Sequence, residues 1–158
     1  MIKKFSIPHF PHWIWVLPIL LLTASMVIIH LETDAYWGDE IANFRMAGIT
    51  PYEPISIDQI IFNLGVAEWV PVYNFLHLWW GNIVGWSEFA TRFLGLLIAN
   101  LSVAMMYQLG RLMFNRRTGL TSAILLGSSV YLAFYAHEMR AYILYIFLTI
   151  TTLYLYWE

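Results

Sequence analysis

The sequence predicts an all-α protein, a polytopic transmembrane helix bundle of about four spans, with juxtamembrane helices in a long first extracytoplasmic loop. Three observations predict it. Of the 158 residues 60% are hydrophobic and only 11% charged, and the mean hydropathy is +0.64, far more apolar than a soluble domain. Uncharged runs long enough to cross about 30 Å of hydrocarbon recur along the chain. The few basic residues gather at the ends of those runs, as they do in membrane proteins. The chain has no cysteine, which excludes a disulfide framework, thiolate chemistry and a cysteine zinc site. Its net charge is -2 and its basic residues form no stripe interleaved with aromatics, so no nucleic-acid partner is expected.

The first span is read over residues 13–31, behind Lys3, Lys4, Pro8 and Pro11. Its apolar stretch is too long for a signal peptide, and Ala24-Ser25-Met26 is a poor cleavage site, so it reads as an uncleaved anchor. His9 and His12 precede it without partner spacing and read as a wet tail. Residues 32–90 then hold most of the acids together with Gly48, Gly65, Gly81 and Gly85, which break any spanning pattern. Within this loop the segments 39–46, 57–64 and 72–86 have helical patterning. They are expected to lie on the membrane surface, because Trp37, Trp69, Trp79, Trp80 and Trp86 suit the headgroup level, with a dip of residues 72–84 into the bilayer as the alternative.

Ser87 is a helix cap with Glu88 in the first turn, and it opens the second span, residues 91–113, uncharged from Phe93 to Gly110. A short turn at residues 115–118 leads to the third span at 119–136, and the corner at 137–140 leads to the fourth at 141–157. Gly119, Ala123 and Gly127 recur every fourth residue, so one helix face is small and another span can approach it.

Orientation follows from the charges. With the amino terminus inside, Lys3, Lys4, Arg111, Arg116 and Arg117 face the cytoplasm, and only Arg45, Arg92 and Arg140 lie outside. Every acid except Glu158 is then external. The loop carrying Tyr36-Trp37-Gly38-Asp39-Glu40 and the corner carrying Glu138-Met139-Arg140-Ala141-Tyr142 share the outer surface, where Asp39, Arg92 and Arg140 can converge. A carboxylate opening a helix is favoured in its ionised form by the helix dipole and can accept a proton. The simpler reading is that Asp39 caps the helix and Glu40 is solvated.

Four motifs in order resemble the membrane glycosyltransferases of GT-C architecture, in particular glycosyltransferase family 39, the dolichyl-phosphate-mannose protein mannosyltransferases and their bacterial relatives. They are Tyr36-Trp37-Gly38-Asp39-Glu40, Ser87-Glu88-Phe89-Ala90-Thr91-Arg92-Phe93, the cytoplasmic turn from Leu109 to Leu120, and Tyr135-Ala136-His137-Glu138-Met139-Arg140-Ala141-Tyr142. The resemblance implies transfer of a sugar, with inversion, from a polyprenyl-phosphate-linked donor to a lipid, glycan or protein acceptor at the extracytoplasmic face of the cell membrane. It also implies that Asp39 is the general base on the acceptor hydroxyl, assisted by Glu40. Arg92 and Arg140 then bind the carrier phosphate, with Glu138 and Tyr142 in the substrate site. A guanidinium suits that task because it stays charged and can hold phosphate oxygens bidentately.

Two departures stand beside it. Relatives carry a His-Pro-Pro-like stretch where this chain has Glu68-Trp69-Val70-Pro71-Val72-Tyr73, and they carry many more spans, so the chain reads as an amino-terminal portion of such an enzyme. A divalent cation is left open: His77, His137 and Glu138 could supply ligands, but without two-histidine spacing on one helix face, hydrogen bonding is the simpler use. Two readings of other classes compete with the enzyme. A transporter fragment would want charged or broken span interiors near the midplane, and a non-catalytic membrane interaction module would use the small-residue face.

Overall fold

The computed structural model describes residues 12–158 apart from 30, 33–34, 50–51 and 68–69. Lys3, Lys4, His9, Glu68 and Trp69 thus lie outside the described residues. Those described form helices and turns, with no strand. A 3-10 turn over His12–Val16 leads into α1 (Leu17–Ile28), followed by α2 (Gly38–Ala47), α3 (Ile57–Val66) and α4 (Pro71–Val84). The remaining helices are α5 (Glu88–Met113), α6 (Arg116–Gly127), α7 (Val130–His137) and α8 (Tyr142–Trp157).

The all-α expectation holds. Of the expected spans, one is a single helix of spanning length: α5 has 26 residues, about 39 Å at about 1.5 Å per residue. Ser87 Oγ caps it by accepting from Ala90 N at 3.2 Å. The expected third span is two helices bent by 54° at Ser128-Ser129. At the break Ser128 Oγ donates to Ile124 O at 2.7 Å, a back-bond that loosens a helix end. The apolar helices at the two ends, Trp13–Ile28 and Tyr142–Trp157, are shorter than 18 residues. Composition could not show these lengths, because hydropathy marks an apolar run and not the point where its backbone turns. The helix after the turn at residues 115–118 also starts early, since Asn115 Oδ1 accepts from Arg117 N at 2.9 Å and from Thr118 N at 3.0 Å.

α5 is the central post, packed against α1, α4, α6, α7 and α8. The main core gathers Val27 and Leu31, then Leu94, Ile98, Ala99 and Val103 of α5, with Ala123, Leu132, Ala136 and Ile143 from the later helices. Gly119, Ala123 and Gly127 are all buried, as the small-residue face requires. Beside that face Thr23 Oγ1 of α1 donates to Gly127 O at 3.1 Å. A second, smaller core of Phe44, Ala47, Ile49 and Met139, with Tyr36 and Trp86 against it, holds the first loop onto the corner at residues 138–140.

The loop helices fall where patterning put them, with two corrections. Gly65 and Gly81 lie inside α3 and α4 and break nothing; Gly81 is bare because the Trp86 ring lies where its Cβ would be. Trp80 and Trp86 face inward: Trp80 stacks on Phe93 and donates Nε1–H to Ala90 O at 2.7 Å. Trp37 and Trp79 are the exposed ones.

Candidate functional site

α2 begins with Trp37 as its N-cap residue, so Asp39 and Glu40 both fall in its first turn. Successive helical residues point in different directions, and these two carboxylates have separate fates. Glu40 is 1% exposed. Its Oε2 accepts from Arg92 Nη2 at 2.8 Å and from Trp37 N at 3.3 Å. Its Oε1 accepts from Arg92 Nε and from Met139 N, both at 3.3 Å. Four donors therefore converge on one carboxylate, tying the start of α2 to α5 and to the corner between α7 and α8. The capping function weighed for Asp39 belongs to Glu40, which sits at the third helical position and reaches back to the Trp37 amide.

Arg92 is buried as well. Besides gripping Glu40 it donates from Nη1 to Leu31 O at 3.2 Å, and its guanidinium lies over the Tyr36 ring at 5.4 Å. Glu40, expected as a catalytic assistant, and Arg92, expected as a phosphate ligand, hold each other in the interior and both line one cavity. The reason is one of energy. An ion pair taken out of water persists only when its hydrogen bonds are nearly all made, and this one meets that condition within the protein.

Asp39 faces the other way. Its carboxylate is 40% exposed and pairs with Arg140, which is 23% exposed. Arg140 also donates from Nη1 to Tyr142 Oη at 3.3 Å, and its guanidinium lies 5.7 Å from the Trp37 ring centre and 5.9 Å from that of Tyr142. The structure therefore brings Asp39, Arg140 and Tyr142 together across 101 residues of sequence. Of the three groups expected to converge, Arg92 goes to the interior and Arg140 stays at the surface.

Two cavities flank the corner. One, of about 530 Å³, is lined by Trp37, Glu40, Arg92, Phe134, His137 and Glu138. Burial pushes the Glu138 carboxyl up from its ordinary value, opposed by the nearby Arg140 charge. The other, of about 200 Å³, lies on the Arg140 side and is lined by Asn43, Tyr73, Asn74 and Tyr145 among others. Asn43 is a residue sequence reasoning missed. It lies one helical turn after Asp39, is 3% exposed, and donates Nδ2–H to Met139 O at 2.6 Å. Its signal was an amide inside a short helix, where asparagine is a poor helix former.

His77 and His137, weighed as metal ligands, lie against backbone carbonyls. His77 is buried with Nε2 3.1 Å from Thr91 O, and burial pushes its imidazole down to about 4, so it is neutral at pH 7 and Nε2–H donates. The ring nitrogens of His137 lie 2.6 Å from Ala133 O and 2.7 Å from Val27 O. Among the described residues no three His, Asp or Glu side chains are grouped so as to hold a metal ion. Comparison with protein-family models, with curated proteins and with solved structures gives no match to this chain.

Proposed function

We propose that this chain carries the outer-face site of a membrane glycosyltransferase that passes a sugar from a polyprenyl-phosphate donor to a lipid, glycan or protein acceptor. In this reading α1, α5, the bent α6–α7 pair and α8 are its four membrane passes. The amino terminus and residues 115–118 are cytoplasmic, and α2, α3 and α4 are extracytoplasmic. The observation that carries the proposal is the division of the two adjacent carboxylates: Glu40 is locked inside, while Asp39 remains partly exposed beside Arg140.

The chemistry assigns each group one task. Asp39 takes the proton of the acceptor hydroxyl as that oxygen bonds to the anomeric carbon, and the carbon–oxygen bond to the carrier phosphate breaks with its electron pair going to the phosphate. Arg140 lies beside Asp39 and meets the developing charge on the leaving phosphate. Tyr142 Oη accepts from Arg140 and steadies the guanidinium. Glu138 lines the larger cavity, on the face where an acceptor would enter.

Asp39→Asn keeps the size of the side chain and removes the basic oxygen. In membranes containing the protein and supplied with polyprenyl-phosphate sugars, this variant is expected to lose transfer by at least about 10²-fold, the usual scale of a general base, while remaining folded. Full transfer by Asp39→Asn would show that the carboxylate is structural.

A further inference from the structure

His137 stands where two helices end. It is the last residue of α7, and its ring reaches across to the end of α1. Nδ1 lies 2.6 Å from Ala133 O and Nε2 lies 2.7 Å from Val27 O. Both partners are carbonyl oxygens, which only accept, whereas a neutral imidazole offers one N–H and one lone pair. A neutral ring therefore satisfies one contact and sets its lone pair against the other oxygen. Turning the ring over does not resolve this, because carbon atoms would then stand at those distances, inside the roughly 3.3–3.6 Å of a C–H···O contact. An imidazolium has two N–H groups and serves both oxygens.

The surroundings favour the charged form. Val27 is the last residue but one of α1, and Leu31 N, which would bond its carbonyl if the helix continued, bonds Ile28 O instead. The carbonyl ends of two helices thus meet at one ring, where the helix dipoles stabilise a cation. Among the described residues, the charged groups lining the cavity beside it are Glu40, Arg92 and Glu138. Glu40 and Arg92 offset each other, as do Asp39 and Arg140 at the same corner. Glu138 adds negative charge when ionised. Of the other helices packed on α7, α1 has no ionisable side chain and α8 has only tyrosines.

We infer that His137 is a proton-dependent clamp, whose imidazolium joins the ends of α1 and α7 and so positions the corner that carries Glu138 and Arg140. Histidine gives up its proton between about pH 5 and 8. The neutral ring keeps the contact within its own helix, which needs no second element held in place, and loses the bond to Val27. The clamped form holds one proton more than the released form, so acid closes the clamp and base opens it. This goes beyond the transferase reading and stands without it.

The test is a distance followed against pH. Because the chain has no cysteine, spin labels at Leu21→Cys on α1 and Tyr131→Cys on α7, both exposed, report the separation of the two helices in the purified chain in detergent. At about pH 5 a narrow distribution is expected, and at about pH 8 a broader one with its mean displaced by at least about 1–2 Å, the size of a helix shift. His137→Gln has no ring to titrate and should give one distribution at both pH values, while Glu138→Gln should keep the change seen in the parent. A parent distance that ignores pH, or a change that survives in His137→Gln, would overturn the clamp. Loss of the change in Glu138→Gln would overturn it too, by assigning the proton to the carboxyl group. A second measurement needs no variant. His137 is the one histidine that follows an alanine, so carbonyl-13C alanine with 15N histidine picks out its NMR signals, and both ring nitrogens should carry protons while the distribution is narrow. A singly protonated ring under those conditions would overturn the clamp by itself. No transfer is measured, so either outcome leaves the assignment of Asp39 where it stands.

Discussion

Glu40→Gln and Asp39→Asn make the same chemical change at neighbouring positions, and the structure gives them different outcomes. At Glu40 the change puts an amide among four donors and leaves Arg92 buried without its counter-charge, a loss of about 3–5 kcal/mol for a broken interior pair. At Asp39 it weakens a partly exposed pair worth about 1 kcal/mol or less. Thermal unfolding in detergent should therefore show a large fall in Tm for Glu40→Gln and a small one for Asp39→Asn. Equal shifts would mean that Glu40 is not the residue tying α2 to α5. Sequence reading identified both carboxylates and both arginines, yet it could not pair them. Each arginine was a reasonable partner by charge, and only the direction of each side chain from the first turn of α2 separates an interior pair from a surface one.

At the scale of elements, the sharpest constraint is where α5 passes the end of α7. A Cβ on Gly95 would meet the carbonyl oxygen of Ala136, a backbone atom that no rotamer change can move. Gly95→Ala is expected to push the two helices apart and to destabilise the protein by about 1–3 kcal/mol, the usual range for overpacking. The corner at residues 137–140 should move with α7, so the Asp39–Arg140 pair loosens although neither residue is changed. Hydrogen exchange at the start of α2 and at the corner is the measurement. A variant as protected as the parent there would show that the corner is not positioned through this contact. The small residues of α6 were legible as a periodicity of four; Gly95 was not, because a single glycine in an apolar run carries no pattern.

For the molecule as a whole, the proposed arrangement places the site on one side of the membrane and the turn at residues 115–118 on the other. Because the chain has no cysteine of its own, single substitutions report their own location. In intact cells Asp58→Cys should react with a membrane-impermeant maleimide, since Asp58 is exposed in α3, and Arg116→Cys should react only after the membrane is opened. Reaction of Arg116→Cys from outside would invert the topology and remove the outer-face site with it.

Composition alone carried the helical class and the apolar character, because burying backbone amides in a membrane leaves helices as the economical solution for such runs. Local chemistry carried α2, α3 and α4, the Ser87 cap and the presence of Asp39 at a helix start, since caps and periodicity act over a few residues. Tertiary structure decided the rest. It set the inward turn of Trp80 and Trp86, and it left the Asn43 amide oxygen without a hydrogen-bond partner among the described residues. It also decided that Glu40, and not Asp39, would be the carboxylate enclosed by Arg92, Trp37 and Met139. The Glu40 and Asn43 outcomes depend on contacts between residues 52 to 99 positions apart. Burial and hydrogen-bond geometry determine such contacts, and neither exists until the helices have packed.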